Sequence, residues 1–180
     1  MDKGQLRKSL REKIASLTPD EKREQSASVL ALIKECKLPE GAVCVYKALP
    51  SEVNTDGIIE YFLKDRQVYL PVVEGDDVML VRIDADTEYE KGAWNISEPI
   101  GERLKPEEIN PALTVTPLLG ADESLMRLGK GKGFYDRYFQ KVNTYKIGIA
   151  FREQLVKEVP CDIWDKQLDM LVLPDRIIKK

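Results

Sequence analysis

The 180-residue chain reads as an α/β protein, a three-layer α/β/α sandwich around a mostly parallel central sheet. Three observations predict this. Short apolar runs of strand length recur, as in AVCVYKAL (42–49) and YKIGIAF (145–151). Segments with apolar residues at helical spacing lie between them, as over 55–64. The runs are continuously apolar, the pattern of strands covered on both faces.

The elements follow in order. Leu6, Leu10, Ile14 and Leu17 recur at helical spacing and predict a helix over 3–16. Thr18-Pro19-Asp20-Glu21 is a capping box with proline at the first helical position. It opens a second helix to about Cys36, with Ala27, Val29, Leu30 and Ile33 on its buried side. Pro39-Glu40-Gly41 ends the pair. AVCVYKAL is a strand, Pro50-Ser51 a turn, and Thr55 to Lys64 a helix with Ile58, Ile59, Phe62 and Leu63 apolar. QVYLPVV (67–73) and VMLVRI (78–83) are strands on either side of the Gly75-Asp76-Asp77 turn. Residues 84–112, punctuated by Gly92, Pro99, Gly101, Pro106 and Pro111, read as irregular. ALTVTPLL (112–119) is a strand, a helix starts at about Phe134, YKIGIAF is a strand, 152–157 a helical turn, and MLVLP (170–174) a last strand. With no repeat, low-complexity tract or linker, one domain is expected over 1–180.

Composition narrows the function class. Hydrophobic residues make up 43% and charged residues 33%, enough for a core and a wet surface. No apolar run approaches the ~20 residues that span a bilayer. MDKGQLRKSLREK carries no apolar stretch of the signal-peptide kind, so a cytoplasmic location is expected. Cys36, Cys44 and Cys161 lack metal-ligand spacing and read as reduced thiols. The chain has no histidine, which excludes Ser-His and Cys-His nucleophile activation and any His-ligated zinc. The net charge is −3, yet Met126 to Lys146 holds six basic residues and one acid, leaving about −8 elsewhere. A local positive site on an acidic chain suits a small anion better than a long polyanion.

That window contains RLGKGKGFYDRYF (127–139). It is not a P-loop, because no Ser or Thr follows Lys132, and its last glycine spacing is wrong for a dinucleotide fingerprint. Its ingredients are still those of a phosphate cradle. Glycines admit close backbone N–H groups, the following helix directs its positive end at the ligand, and Arg127, Lys130 and Lys132 add full charge. The alternative is a solvated basic turn. Tyr138 and Phe139 read as core contacts, whereas Phe134 and Tyr135 stand nearer the loop. Asp136 is free either to pair with Arg137 or to hold Mg²⁺ against phosphates. CDIWDKQLD sets Asp162, Asp165 and Asp169 before the last strand.

RLGKGKGFYDRYF resembles the signature loop of the 5-formyltetrahydrofolate cyclo-ligases, also called methenyltetrahydrofolate synthetases. Lys3-x-x-Leu6-Arg7, Leu49-Pro50-Ser51-Glu52-Val53-Asn54-Thr55, Trp94-Asn95-Ile96-Ser97-Glu98-Pro99, Gly148–Leu155 and Asp165-x-x-x-Asp169 resemble further family segments in the same order. Phe134 stands where the family usually has tyrosine, Lys47 where an apolar residue is common, and Ser97 where proline is common. TPLLGADE replaces the usual segment before the loop.

The resemblance implies conversion of 5-formyltetrahydrofolate and ATP to 5,10-methenyltetrahydrofolate, ADP and phosphate with Mg²⁺. It implies that Lys3, Gly4, Gln5, Leu6 and Arg7 meet ATP from the first helix. Arg127, Leu128, Gly129, Lys130, Gly131, Lys132 and Gly133 would wrap the triphosphate, with Phe134 and Tyr135 beside it and Arg127 and Lys132 acting on the transferred group. Glu52 would bind the pterin, with Lys47, Trp94 and Tyr135 on the folate. Asp136 and Asp169 would hold Mg²⁺, with Asp165 a third candidate. The expected partners are a reduced folate and ATP, with neither nucleic acid nor membrane, and the expected form is a monomer or weak dimer. Two rival classes are a nucleotide or anion sensor that has lost catalysis and an RNA-binding module using the basic aromatic segment. Retention of Glu52 argues against the first, and the acidic remainder of the chain against the second.

Overall fold

The structure, a computed structural model, describes residues 2–92 and 96–180. Two helices lead. In α1 (Lys3–Ser16), Asp2 accepts the Gln5 backbone N–H while the Gln5 side chain reaches back, closing a capping box. In α2 (Pro19–Glu35), Thr18 and Glu21 form the box read from the sequence. Then come β1 (Val43–Val45), α3 (Asp56–Leu63), β2 (Val68–Glu74) and β3 (Asp77–Ile83). The segment expected to be irregular contains β4 (Tyr89–Lys91), β5 (Ser97–Pro99) and α4 (Pro106–Ile109). Strands of three residues, exposed on β4, carry no apolar alternation from which to read them. β6 (Leu113–Thr116), β7 (Gly120–Ala121), β8 (Arg127–Leu128), α5 (Phe134–Lys141), β9 (Tyr145–Ile149), a 3-10 turn (Arg152–Gln154), β10 (Met170–Val172) and β11 (Ile177–Lys179) complete the order.

Seven strands pair in the order β11-β10-β9-β6-β1-β2-β3. All contacts from β2 through β10 are parallel, and antiparallel β3 and β11 close the two edges. The expected mostly parallel sheet is therefore present. Numbered among themselves in chain order, the five parallel strands stand 2-1-3-4-5, so the winding reverses between β1 and β6. In sheets of this kind the crevice outside the carboxyl ends at the reversal is where ligands bind.

Helices cover both faces. Val43 and Val45 pack with Leu10 of α1, Ile33 of α2 and Phe62 of α3, all essentially inaccessible. Cys44, between them, faces the other way onto Tyr138 and Phe139 of α5. Its thiol is pushed up to about 12 by burial, and the three cysteines are free, as their spacing predicts. Beneath α5, Thr114 bonds both the Tyr138 hydroxyl and Thr144 at 2.9 Å, so this buried polar cluster is satisfied.

Two strands stop earlier than their apolar runs. β1 ends at Val45 because the chain turns out of the sheet: Thr55 donates to the Tyr46 carbonyl at 2.7 Å and accepts the Ala48 N–H at 3.0 Å. β6 ends at Thr116 before Pro117, which has no N–H for a ladder. Residues read as strand thereby become the loops above the winding reversal.

Asp169 ties the other end of the sheet together. It accepts the Lys146 backbone N–H at 2.8 Å, the Lys146 ammonium at 2.9 Å and Lys180 at 3.2 Å. Partial burial alone would raise its carboxyl, and these donors outweigh it and hold the group below the usual range. The depressed pKa places the stabilisation above the unfolded carboxylate value and removes it as pH falls through the folded one. Asp169→Ala is expected to lose about 2 kcal/mol at pH 7 in urea melts. The difference from the parent protein should shrink steadily on acidification; a constant difference down to pH 3 would refute the account.

Candidate active site

A cavity of about 500 Å³ opens where the winding reverses. Tyr46, Lys47, Leu49 and Glu52 reach it from the loop after β1, and Pro117 from the end of β6. Leu70, Pro71 and Val73 of β2, Val78 of β3, and Ile96 and Pro99 near the β4–β5 hairpin form an apolar wall. Opposite stand Lys3 and Arg7 of α1, the whole 127–133 run, and Phe134, Tyr135 and Asp136 of α5. The volume suits small ligands rather than a macromolecule.

Arg127 is the deepest charge. Its side chain is 4% exposed, because the residue sits in the β7–β8 ribbon and not on the glycine loop. Nη2 bonds Asp136 at 2.6 Å, and the guanidinium lies 5.9 and 5.8 Å from the Tyr135 and Phe139 ring centres. Asp136 therefore pairs with Arg127 rather than Arg137. Among the described residues, Arg127 Nε is the one buried side-chain nitrogen or oxygen without a hydrogen-bond partner. An arginine cannot shed its proton, so an unpaired buried donor is a vacancy for an acceptor.

The glycines lie where the backbone passes arginine side chains: Gly129 by Arg127, Gly131 by Arg7 and Gly133 by Arg137. Gly131 and Gly133 have φ of 106° and 70°, a region that disfavours side chains. A Cβ on Gly129 would sit 3.1 Å from Arg127 Nη1. Gly133 is the N-cap of α5 and supplies no side-chain bond, so the first-turn amides of that helix are open to an anion. Arg7 anchors the loop to α1 through Nε to the Gly129 carbonyl at 3.0 Å.

Lys3 sits one turn before Arg7 on the same face and meets Asp165 at 2.5 Å and Asp162 at 2.7 Å. Partial burial lowers the Lys3 ammonium, but the two carboxylates outweigh it and its pKa rises. Burial likewise opposes ionisation of Asp165, and Lys3 with the Asp162 N–H reverses that, leaving the carboxyl below its ordinary value. Glu52 is 6% exposed; one oxygen accepts the Leu49 N–H at 2.7 Å and the other takes Lys130 at 2.5 Å. Lys47 reaches the rim and pairs with Asp56 at 2.5 Å. Tyr135 lines the wall, its hydroxyl held neutral by burial and then by the nearby Cys44, Glu52 and Tyr46.

The structure assembles most, but not all, of the expected set. Lys3, Arg7, Lys47, Glu52, Phe134, Tyr135, Asp136, Asp165 and residues 127–133 share the cavity. Leu6 is buried in the core, Gln5 is spent on the α1 capping box, and Gly4 lies outside the cavity lining. Asp169 is corrected: it does not line the cavity, and Lys146 and Lys180 occupy its oxygens. The expected three-carboxylate set is likewise not assembled, since no group of three or more His, Cys, Asp or Glu placed to hold a metal occurs among the described residues. Trp94 lies outside the described residues. Sequence reasoning missed Tyr46 and the apolar wall of β2 and β3, which look like ordinary strand core. A signal did exist for Tyr46, at the carboxyl end of the first parallel strand.

Known proteins are similar to this chain along most of its length. A profile of the 5-formyltetrahydrofolate cyclo-ligase family matches residues 1–174. A probable 5-formyltetrahydrofolate cyclo-ligase of Schizosaccharomyces pombe is 33% identical over 99% of this chain and 98% of its own length. The 5-formyltetrahydrofolate cyclo-ligase of Escherichia coli K12 is 29% identical over 93% of this chain and 98% of its own. The 5,10-methenyltetrahydrofolate synthetase of Aquifex aeolicus superposes with a TM-score of 0.85 at 33% identity, covering 99% of this chain and 93% of that one. A family match spanning residues 1–174, with relatives similar along nearly their full length, makes this protein an enzyme of the 5-formyltetrahydrofolate cyclo-ligase family.

Proposed function

We propose that the protein closes 5-formyltetrahydrofolate to 5,10-methenyltetrahydrofolate, consuming ATP and releasing ADP and phosphate with Mg²⁺ bound. One observation carries this reading. A single cavity joins a buried carboxylate, Glu52, to a glycine loop at whose base a buried guanidinium has an unmet donor. The first suits the N–H edge of a pterin and the second a phosphate oxygen, so both reactants meet in one space.

The chemistry needs no protein nucleophile, which fits a chain without histidine. The N5-formyl group is an amide and a poor electrophile. Its oxygen takes the terminal phosphoryl group of ATP and becomes part of a good leaving group. N10 then attacks the formyl carbon and loses its proton, and the carbon–oxygen bond breaks as phosphate departs. The protein contributes position and charge, as in phosphoryl transfer generally. We assign Arg127 and Lys132 to the oxygens of the transferred group, and Lys3, Arg7, Lys130 and the open first turn of α5 to the rest of the triphosphate. The apolar wall and Tyr135 flank the folate, with Lys47 at its rim.

Asp136 and Asp165 are the two aspartates among the four carboxylates lining the cavity, Glu52 and Glu98 being the others. Magnesium usually takes one or two carboxylates and fills its shell with phosphate and water, so this donor set fits it. These residues would hold the ion, which supplies charge neutralisation on the phosphates when bound. Lys3 pairs with Asp165 and Arg127 with Asp136. No helix among the described residues is long and apolar enough to cross a membrane, and we propose a cytoplasmic protein acting on small molecules.

Methenyl absorbance should rise only when the protein, 5-formyltetrahydrofolate and Mg·ATP are combined; no ATP-dependent rise rejects the reading. Lys132→Ala should weaken ATP at least about tenfold with little change for folate, while Glu52→Ala should weaken folate by a similar factor. Normal folate binding by Glu52→Ala would sink the pterin assignment. Arg127→Lys keeps the charge but loses the planar fork, and a drop in kcat of about a hundredfold is expected in steady-state assays.

A further inference from the structure

The two ends of the cavity are locked to each other. Lys130, on the glycine loop, meets Glu52 at 2.5 Å across the gap between the phosphate-binding and pterin-binding parts of the site. The same two residues also line a second cavity of about 510 Å³, beside Ile14, Leu118 and Leu119. Their ion pair is therefore a partition between two open spaces, not a contact within packed core. Glu52 is anchored: it is 6% exposed and its other oxygen takes the Leu49 N–H. Lys130 is not: its side chain is 42% exposed, and Gly129 and Gly131 flank it with permissive backbone.

We infer that Lys130 is a shared cation, held by Glu52 until the pterin displaces it and then transferred to the triphosphate, so that each substrate raises the other's affinity. This rests on the functional reading above. The Glu52 oxygen that a pterin N–H must reach is the one that Lys130 occupies. A neutral pterin supplies the hydrogen bonds that keep Glu52 ionised, and the displaced ammonium is left unpaired on a flexible loop. A phosphate is the nearest partner that can replace a carboxylate. In the reverse direction, the triphosphate draws Lys130 off Glu52 and bares that oxygen. The two effects are one coupling free energy and must be equal in size.

The sequence of Lys130 between two glycines acquires a reason here. A lysine is a compact charge on a flexible stem and is suited to two successive partners, whereas an arginine fork is suited to one fixed geometry. Arg7 and Arg127 hold the static part of the cradle through Gly129 and Asp136, and Lys130 is the member free to change partner.

The test is a binding cycle by calorimetry on the whole protein. 5-Formyltetrahydrofolate and the Mg²⁺ complex of a non-hydrolysable imido analogue of ATP are titrated separately and then each in the presence of the other. In the parent protein each ligand should tighten the other by at least about fivefold, by the same factor in both directions. In Lys130→Gln, which keeps an N–H donor but carries no charge, the factor should fall to near one. Lys130 is substantially exposed, so loss of fold is not expected, and a thermal melt checks this. If both ligands bind the parent protein independently, or the glutamine variant keeps the parent's factor, the coupling is refuted while the functional reading stands. If neither ligand binds the parent protein, both fall together.

Discussion

A guanidinium cannot give up its charge, and burying Arg127 to 4% exposure dictates what may surround it. Asp136 must come from the first turn of α5 to balance it. Tyr135 and Phe139 must offer ring faces from the same helix. A Cβ at position 129 would press on Nη1, so a glycine there leaves the guanidinium undisturbed. Further along the loop, Gly131 passes Arg7 and Gly133 passes Arg137, both with positive φ. α5 starts at Gly133 without a capping side chain, so no cap covers its first-turn amides.

The sheet determines where that arrangement lies. The winding reverses between β1 and β6, so the loops after these strands diverge and leave a crevice. Glu52 enters the crevice on the loop after β1, held by Leu49, while Thr55 fastens the start of α3 back to the strand end. α1 lies across the same end and presents Lys3 and Arg7 one turn apart. Basic groups thus outnumber acids on this wall of a net acidic chain, and the acids present are each engaged with a base. The site is a network of paired charges: Lys3 with Asp165, Arg127 with Asp136 and Lys130 with Glu52.

What could be read from the residues in order was what depends on near neighbours. Helical periodicity and the Thr18–Glu21 capping box located α1 and α2, continuous apolar runs located the parallel strands, and the order of motifs identified the family. The glycines and Arg127 were legible as a phosphate cradle from their types, whereas Lys3, Arg7 and Glu52 entered as site residues through the family resemblance; all of them line one cavity. Three-residue strands such as β4 and β5, and the two-residue ribbon of β7 and β8, were not legible. Their pairing is set by partners distant in the chain, and a stretch that short carries no period.

Pairing among charges was beyond reach for the same reason. In the chain, Asp165 and Asp169 look alike: both precede the last parallel strand, four residues apart. In the fold, one holds Lys3 at the cavity and the other holds Lys146 and Lys180 at the sheet edge. Lys130 and Lys132 look alike too, yet Lys130 is the one that bridges to Glu52. Residue type is written in the chain, so a phosphate-type anion site could be read from it and the reaction class from the ordered motifs that resemble the family. Which charge faces which is set by the crossing of strands and helices, a long-range geometry, and it became visible when the sheet brought both ends of the chain to one crevice.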